Sequence, residues 1–238
     1  MAETVDDKYP RPLVAVDIAA LTVLDADLKV LLIQRGLPPR TLALPGGFVR
    51  CGDAKDQQGE DLDEAARREL LDETRLPLDV TGLGRVPLVQ VGVFGAPDRD
   101  PRARVIAVAY LAVVPPELAA FVRAGSDAAA VAWYRVAELP AVPLAFDHGD
   151  IVRRALKHLR RDVDETAIAR ALVPATFSVA ELRAAVDAVR GCAVDPGNFR
   201  RRFRRLLDDG LVQRRPGRRI TGRRQAEVFA FRAEPIGR

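Results

Sequence analysis

Cysteine and histidine are almost missing from this chain of 238 residues, which has two of each. Cys51 and Cys192 stand far apart and belong to no CxxC or Cys/His cluster, which excludes a zinc framework and a disulfide scaffold. His148 and His158 have no Ser or Cys pattern beside them that would mark a nucleophile, so both read as structural. Long apolar runs are missing too, because charged or polar residues interrupt every candidate before it reaches membrane-spanning length. The opening MAETVDDKYPRP has no apolar segment of the kind a signal peptide carries. A cytoplasmic protein with no membrane partner is therefore expected.

What is present is ordinary for a folded chain, with 48% hydrophobic and 29% charged residues, too apolar for disorder. The length suits one large domain or two modest ones. A net charge of +4 conceals a split. Residues 150–238 carry 21 Lys and Arg against 11 Asp and Glu, and the residues before them carry 16 against 22. An acidic first part and a strongly basic last part point to two domains with different partners, the second one polyanionic.

The acidic part centres on the stretch from Leu44 to Leu76, LPGGFVRCGDAKDQQGEDLDEAARRELLDETRL. Written as a helix, its second half puts Glu69, Asp72 and Glu73 at i, i+3 and i+4, on one face. Leu62, Ala66 and Leu70 form a separate stripe for burial. Three acids on one face repel unless a cation joins them, and a hard cation such as Mg²⁺ takes carboxylates together with the phosphates of a nucleotide. Gly46 and Gly47 let backbone approach a ligand without Cβ interference. An acidic helix alone is most often a solvated face; glycines, loop and acidic helix in this order favour a diphosphate site.

That order resembles the Nudix box. Gly47 begins the match and Arg68-Glu69-Leu70-Leu71-Asp72-Glu73-Thr74-Arg75-Leu76 ends it. The first acid of the pattern falls on Asp53, and the loop after it is about seven residues longer than the pattern, so that Glu60 takes up the spacing to Arg68 and Glu69. Asp72 replaces the first Glu of the Glu-Glu pair, and Arg75 replaces the closing glycine. The resemblance implies a divalent metal on Glu69, Asp72 and Glu73, with Glu69 and Glu73 as residual catalytic candidates. The departures shift the expectation from cleavage toward binding of a nucleotide diphosphate.

Around this stretch the pattern reads as a mixed sheet. Leu13–Leu24 and Lys29–Gln34 form a hairpin across Asp25-Ala26-Asp27, and strands are expected at 85–94, 104–114 and 129–136. A short helix is expected from Pro116 to about Ala124. Arg99, Arg102 and Arg104, in the turn-rich loop after Phe94, either clamp phosphate as guanidinium forks do or balance Asp98 and Asp100 in solvent. The segment 138–148, with two prolines and no clear period, is the candidate domain boundary.

From Asp150 the pattern is helical. Ser178 with Glu181 makes a capping box, Gly191 closes that helix, and Asp195-Pro196 opens the next as N-cap and first-turn proline. In this second helix Phe199, Phe203, Leu206 and Leu207 fall on one side, with Asn198, Arg201, Arg204 and Arg205 on the other. Helix, turn and basic helix form an arrangement that presents side chains to a major groove. Strands 211–215 and 227–231 follow, with the basic loop 216–224 at their tip reading as a wing.

A Nudix-like domain followed by a winged helix is similar to the Nudix-related transcriptional regulators of NAD metabolism, the NrtR family. The segments 94–102, 104–110, 144–148 and 198–201 resemble that family's characteristic stretches. The resemblance implies an α+β protein: an N-terminal tail at 1–12, a Nudix-like α/β/α sandwich at 13–148 and a winged helix-turn-helix domain at 149–238. It implies a homodimeric repressor bound to a palindromic double-stranded DNA operator near genes of NAD synthesis or salvage. The effector expected is ADP-ribose or a related nucleotide, and the cofactor admitted is Mg²⁺. The ligand-binding residues would be Arg35, Gly46, Gly47, Phe94, Arg99, Arg102 and Arg104. The DNA-binding residues would be Asn198, Arg200, Arg201, Arg202, Arg204, Arg205, Arg214, Arg215, Arg218, Arg219, Arg223 and Arg224. The alternative is a working Mg²⁺-dependent ADP-ribose pyrophosphatase with an accessory basic domain; an RNA-processing enzyme is the weaker third reading, because a winged helix suits duplex DNA.

Overall fold

The computed structural model describes residues 11–36, 41–51, 59–80, 84–125, 128–221 and 224–232. The sheet is built on β1 (Leu13–Leu24), whose residues from Ala15 to Val23 are buried on both faces. Such a run without alternation is what a strand covered on both sides requires. It turns into β2 (Asp27–Arg35) through Asp25 and Ala26, both with positive φ (55° and 61°), the geometry that matches strand twist in a two-residue hairpin. β3 (Leu42–Ala43) extends the sheet beyond β2, and β4 (Gly46–Phe48) pairs with the start of β1.

On the other side of β1 lie β8 (Val105–Val113), parallel to it, and β7 (Leu88–Phe94), antiparallel to β8. β9 (Ala128–Arg135) pairs with β2. The small hairpin of β5 (Asp79–Val80) and β6 (Gly84–Arg85) stands apart.

Period-two alternation sends Val16, Ile18 and Ala20 to one face and Ala19, Leu21 and Val23 to the other. Against the first face packs α1 (Leu62–Thr74), through Ala65, Ala66 and Leu70. Asp61 and Glu64 form a capping box at its start. Its end is Arg75 at φ 54°, a left-handed position that favours glycine. α2 (Pro116–Ala119) adds Leu118 to this core and ends sooner than the expected Ala124. The segment after β9 contains a 3₁₀ turn at Val136–Ala141, local order that an aperiodic sequence did not show.

α3 (His148–Asp162) covers the second face of the sheet, burying Ile151, Val152, Ala155, Leu156 and Leu159. Burying each large side chain of this kind is worth about 1.5–3 kcal/mol. The same apolar stripe runs on into α4 (Thr166–Ala171), α5 (Val179–Arg190) and α6 (Pro196–Asp208), so sheet and C-terminal helices share one core cluster. α3 therefore joins the two parts, and is not simply the first helix of the second.

Ser178 and Glu181 cap α5 reciprocally, Gly191 ends it at φ 71°, and Asp195 caps α6 with Pro196 in the first turn. β10 (Val212–Thr221) and β11 (Arg224–Phe231) form the final hairpin. Its strands are longer than expected: 218–221 pair with the partner strand where the sequence reads as a loop. The register shift between Arg215 and Arg218 accommodates Pro216 and Gly217 as a bulge, the place a sheet tolerates proline. Phe203 meets Phe229 edge-on at 5.0 Å, fixing α6 to the hairpin.

Candidate functional site

A cavity of about 560 Å³ opens where β1, β2, β4, the end of α1 and the loops 95–104 and 144–148 meet. Arg35, Gly46, Gly47, Arg99 and Arg102, five of the expected ligand residues, line it. Phe94 and Arg104 do not: Phe94 packs against the core, and Arg104 ties its own loop by donating to the carbonyls of Gly95 and Ala96 at 2.9 and 3.2 Å. Asp17, Glu73, Phe146 and His148 are also in the wall.

Arg99 is the centre of the charge network. Its side chain is 4% exposed, and its Nη2 donates to Asp17 Oδ2 at 2.9 Å and to Asp147 Oδ1 at 2.7 Å, while Nε donates to Asp147 Oδ2 at 3.0 Å. Burial pushes the Asp17 carboxyl up, and His148 and Arg99 beside it more than offset this, holding it below the usual carboxylate range. His148 Nδ1 accepts the Leu44 amide at 2.9 Å. The ring proton then sits on Nε2, 3.5 Å from Asp17 Oδ1. Opposite, the guanidinium groups of Arg35 and Arg102 stand 4.8 and 5.3 Å from the centroid of the Phe146 ring, within cation–π range. Arg102 is also held by Asp100 through Nε and Nη2, at 2.9 and 2.7 Å.

The acids of α1 are not gathered as the helical spacing implies. Glu69 Oε1 takes Arg68 Nη1 at 2.5 Å. Glu73 turns inward, is buried, and accepts the Gly46 amide on Oε2 at 2.8 Å. Asp72 remains half exposed, 4.0 Å from Arg68 and 3.9 Å from Arg50. Among the described residues no three His, Cys, Asp or Glu side chains are grouped to hold a metal ion. The physical reason is Arg68, which lies between the acids and also grips Glu60 through Nε at 2.8 Å and Nη2 at 2.5 Å. That hydrogen bonding lowers the Glu60 carboxyl to about 2.

Gly46 and Gly47 line the cavity and are also required by packing. A Cβ on Gly46 would lie 2.3 Å from the Val16 carbonyl oxygen, and one on Gly47 would lie 2.4 Å from Glu69 Oε1. Strand and acidic helix fill the space the glycines leave.

The second candidate surface is basic. On α6, Asn198, Arg200, Arg201, Arg204 and Arg205 are exposed, with Arg201 bonded to Asn198. Arg202 is half-buried and pairs with Asp164, which Arg190 also holds, so it braces the helices. On the hairpin Arg214, Arg215 and Arg218 are exposed. Arg219 turns back to Glu181 at 2.8 Å and Thr176 at 3.0 Å. Arg223 lies outside the described residues, as does the side chain of Arg224.

A larger groove of about 1070 Å³ separates the 136–147 segment and α3 from α5, with Leu139, Val152, Leu156 and Ala188 among its lining. It shares Phe146 with the first cavity.

Sequence reasoning missed Asp17, Phe146 and Asp147 and placed His148 only as structural. The signal available was the 144–148 segment, already distinctive and already placed at a domain boundary.

Comparison with known proteins bears on both surfaces. Residues 14–155 match the NUDIX domain family. The chain is similar to the ADPR responsive transcriptional repressor NtrR of Acinetobacter baylyi, 30% identical over 233 residues, covering 97% of this chain and 86% of that one. It is 39% identical over 148 residues to the ADP-ribose pyrophosphatase of Methanocaldococcus jannaschii, across 61% of this chain and 73% of that one. The crystal structure of Shewanella oneidensis NrtR complexed with a 27mer DNA superposes with a TM-score of 0.72 at 26% identity, over 92% of this chain and 93% of the other.

Proposed function

This chain belongs to the NUDIX family, and from that premise we propose that it is a transcriptional repressor whose hold on operator DNA is set by ADP-ribose. Residues 13–148 sense the nucleotide and residues 149–238 bind DNA, with α3 shared between them. The protein acts as a homodimer on a palindromic operator, since two recognition helices read half-sites about one helical turn apart. Genes of NAD synthesis or salvage are the proposed targets.

The observation that carries this reading is that one core joins a cavity lined by Arg35, Arg99 and Arg102 to a helix with an exposed arginine face. Guanidinium groups bind phosphate oxygens bidentately, and a cavity of this volume is of the size small-molecule sites occupy. On α6, Asn198, Arg201 and Arg205 reach base edges in the major groove. Arg214, Arg215 and Arg218 on the hairpin hold phosphates, which position without specifying sequence. Arg202 and Arg219 support these elements from behind.

The acids of α1 do not fit a divalent ion as they stand, because Glu69 and Glu73 are engaged with Arg68 and the Gly46 amide. The effector is held by the arginines of the cavity. The second reading, hydrolysis of ADP-ribose, is favoured by the pyrophosphatase relative and by the presence of Glu69 and Glu73. Calorimetry with ADP-ribose, with and without Mg²⁺, together with chromatography for AMP release separates the two. Binding without Mg²⁺ and without cleavage supports the sensor. Rapid Mg²⁺-dependent release of AMP, lost in Glu73→Gln, supports the enzyme.

A further inference from the structure

Among the described residues, three helices begin on a side chain that accepts a first-turn amide: Asp61 for α1, Ser178 for α5 and Asp195 for α6. The longest helix, α3, does not. Asp147 stands at its N-cap, a residue type suited to capping, yet its side chain makes no cap bond and its ψ is 21°, against 156°, 160° and 125° at the three caps that work. Both of its carboxylate oxygens go to Arg99 instead. The residue before it, Phe146, is held in the left-handed region at φ 52°.

These residues are also the partition between two spaces. Phe146 lines both the arginine cavity and the larger groove, Asp147 lines the groove, and His148 lines the cavity. The groove's far wall is α5, the first helix of the helix-turn-helix pair. Of the two carboxylates on Arg99, Asp17 is fixed within β1 and also faces His148. Asp147 lies at the positive end of α3, where the Asp150 and Ile151 amides already donate to its backbone carbonyl at 2.9 and 3.2 Å, which leaves the Gly149 amide for its side chain to cap.

We propose that Asp147 is the latch through which an anionic ligand in the cavity acts on the DNA-binding helices. The latch rests on the reading of that cavity as the ADP-ribose site. The diphosphate takes the Arg99 guanidinium, like charge repels Asp147, and Asp147 turns to cap α3. Phe146 moves with it, and the wall facing α5 changes. Each position of Asp147 is satisfied by a different partner, which gives the segment two discrete states.

The test uses full-length protein, ADP-ribose and a fluorescent duplex that the protein itself selects from random DNA. In the wild type, ADP-ribose should slow hydrogen exchange at the Gly149 amide by about fivefold, the change expected from gaining one N-cap. Asp147→Ala removes the competitor for Arg99, so ADP-ribose should bind it more tightly by calorimetry while its effect on DNA affinity falls to within about twofold of none. Asp147→Asn keeps a capping side chain without the charge, so its Gly149 amide should be protected before ligand is added; this arm covers an alanine variant that fails to fold. Unchanged ADP-ribose affinity with a full DNA response in Asp147→Ala would overturn the latch. So would exchange at Gly149 that ignores bound ADP-ribose. Absence of any ADP-ribose binding to the wild type would instead remove the cavity's assignment, and the latch with it.

Discussion

Replacing Arg99 by alanine tests the buried network on which the cavity depends. The Arg99 side chain is 4% exposed, and its partners Asp17 and Asp147 are 10% and 19% exposed. Removing one member of a buried ion pair leaves an uncompensated charge and costs about 3–5 kcal/mol. Asp147 can turn away to the end of α3, so the penalty falls mainly on Asp17, and about 3 kcal/mol is expected. Because folded domains hold only about 5–15 kcal/mol, the variant should fold with a reduced margin. The penalty should also depend on pH. In the wild type the Asp17 carboxyl is held below its ordinary value, so its contribution is present above that value and lost as pH falls below it. Without Arg99 its lowering contributions are lost while that of His148 remains, so the carboxyl rises above its wild-type value and the variant loses less stability than the wild type as pH falls. The difference between the two proteins should therefore be largest near neutrality and shrink toward roughly pH 4. Urea unfolding at several pH values measures it. A penalty below about 1 kcal/mol, or one that is the same at every pH, would refute the assignment of a buried, charged Asp17–Arg99–Asp147 network.

Other outcomes follow from single features. Arg75→Gly should stabilise the protein by about 0.5–1 kcal/mol, since relief of a left-handed side chain outweighs the added freedom of the unfolded chain; a lower thermal midpoint would contradict this. Alanine at Arg201 or Arg205 should cost about 1–3 kcal/mol of DNA binding for each residue that contacts a base, whereas alanine at Arg214, Arg215 or Arg218 should lower the salt slope by about one each. Binding isotherms across a salt series distinguish the two classes. Glu60→Gln should destabilise the protein at neutral pH but not near pH 2, because a carboxyl lowered to about 2 by Arg68 contributes above its ordinary value and loses that contribution as pH falls through about 2. Denaturation curves that stay equally displaced at both ends would argue against the Arg68 pairing.

Much of the fold was legible because the signals were local. Asp25-Ala26 turns where the hairpin pattern breaks, Ser178 with Glu181 opens a helix that Gly191 closes, and Asp195-Pro196 opens the next. Phe199 and Phe203 are buried while Arg201, Arg204 and Arg205 are exposed, as a period of 3.6 requires. The site was less legible because its bonds span the chain. Arg99 meets Asp17 and Asp147 from 82 and 48 residues away, and nothing within the 95–104 loop indicates those partners. Helical spacing put Glu69, Asp72 and Glu73 on one face, but it could not show that Arg68 would engage Glu69 or that the Gly46 amide would draw Glu73 inward. The final hairpin was underestimated because Pro216-Gly217 reads as a turn, and only the register of the partner strand reveals a bulge.

The central claim is that nucleotide and DNA compete or cooperate through one protein, and linkage makes this measurable from both sides. The affinity for ADP-ribose should be determined with and without saturating duplex, and the affinity for the duplex with and without saturating ADP-ribose. The same factor should appear in both experiments, at about fivefold or more. Two affinities that each ignore the other ligand would contradict the claim that this NUDIX chain is a nucleotide-responsive repressor.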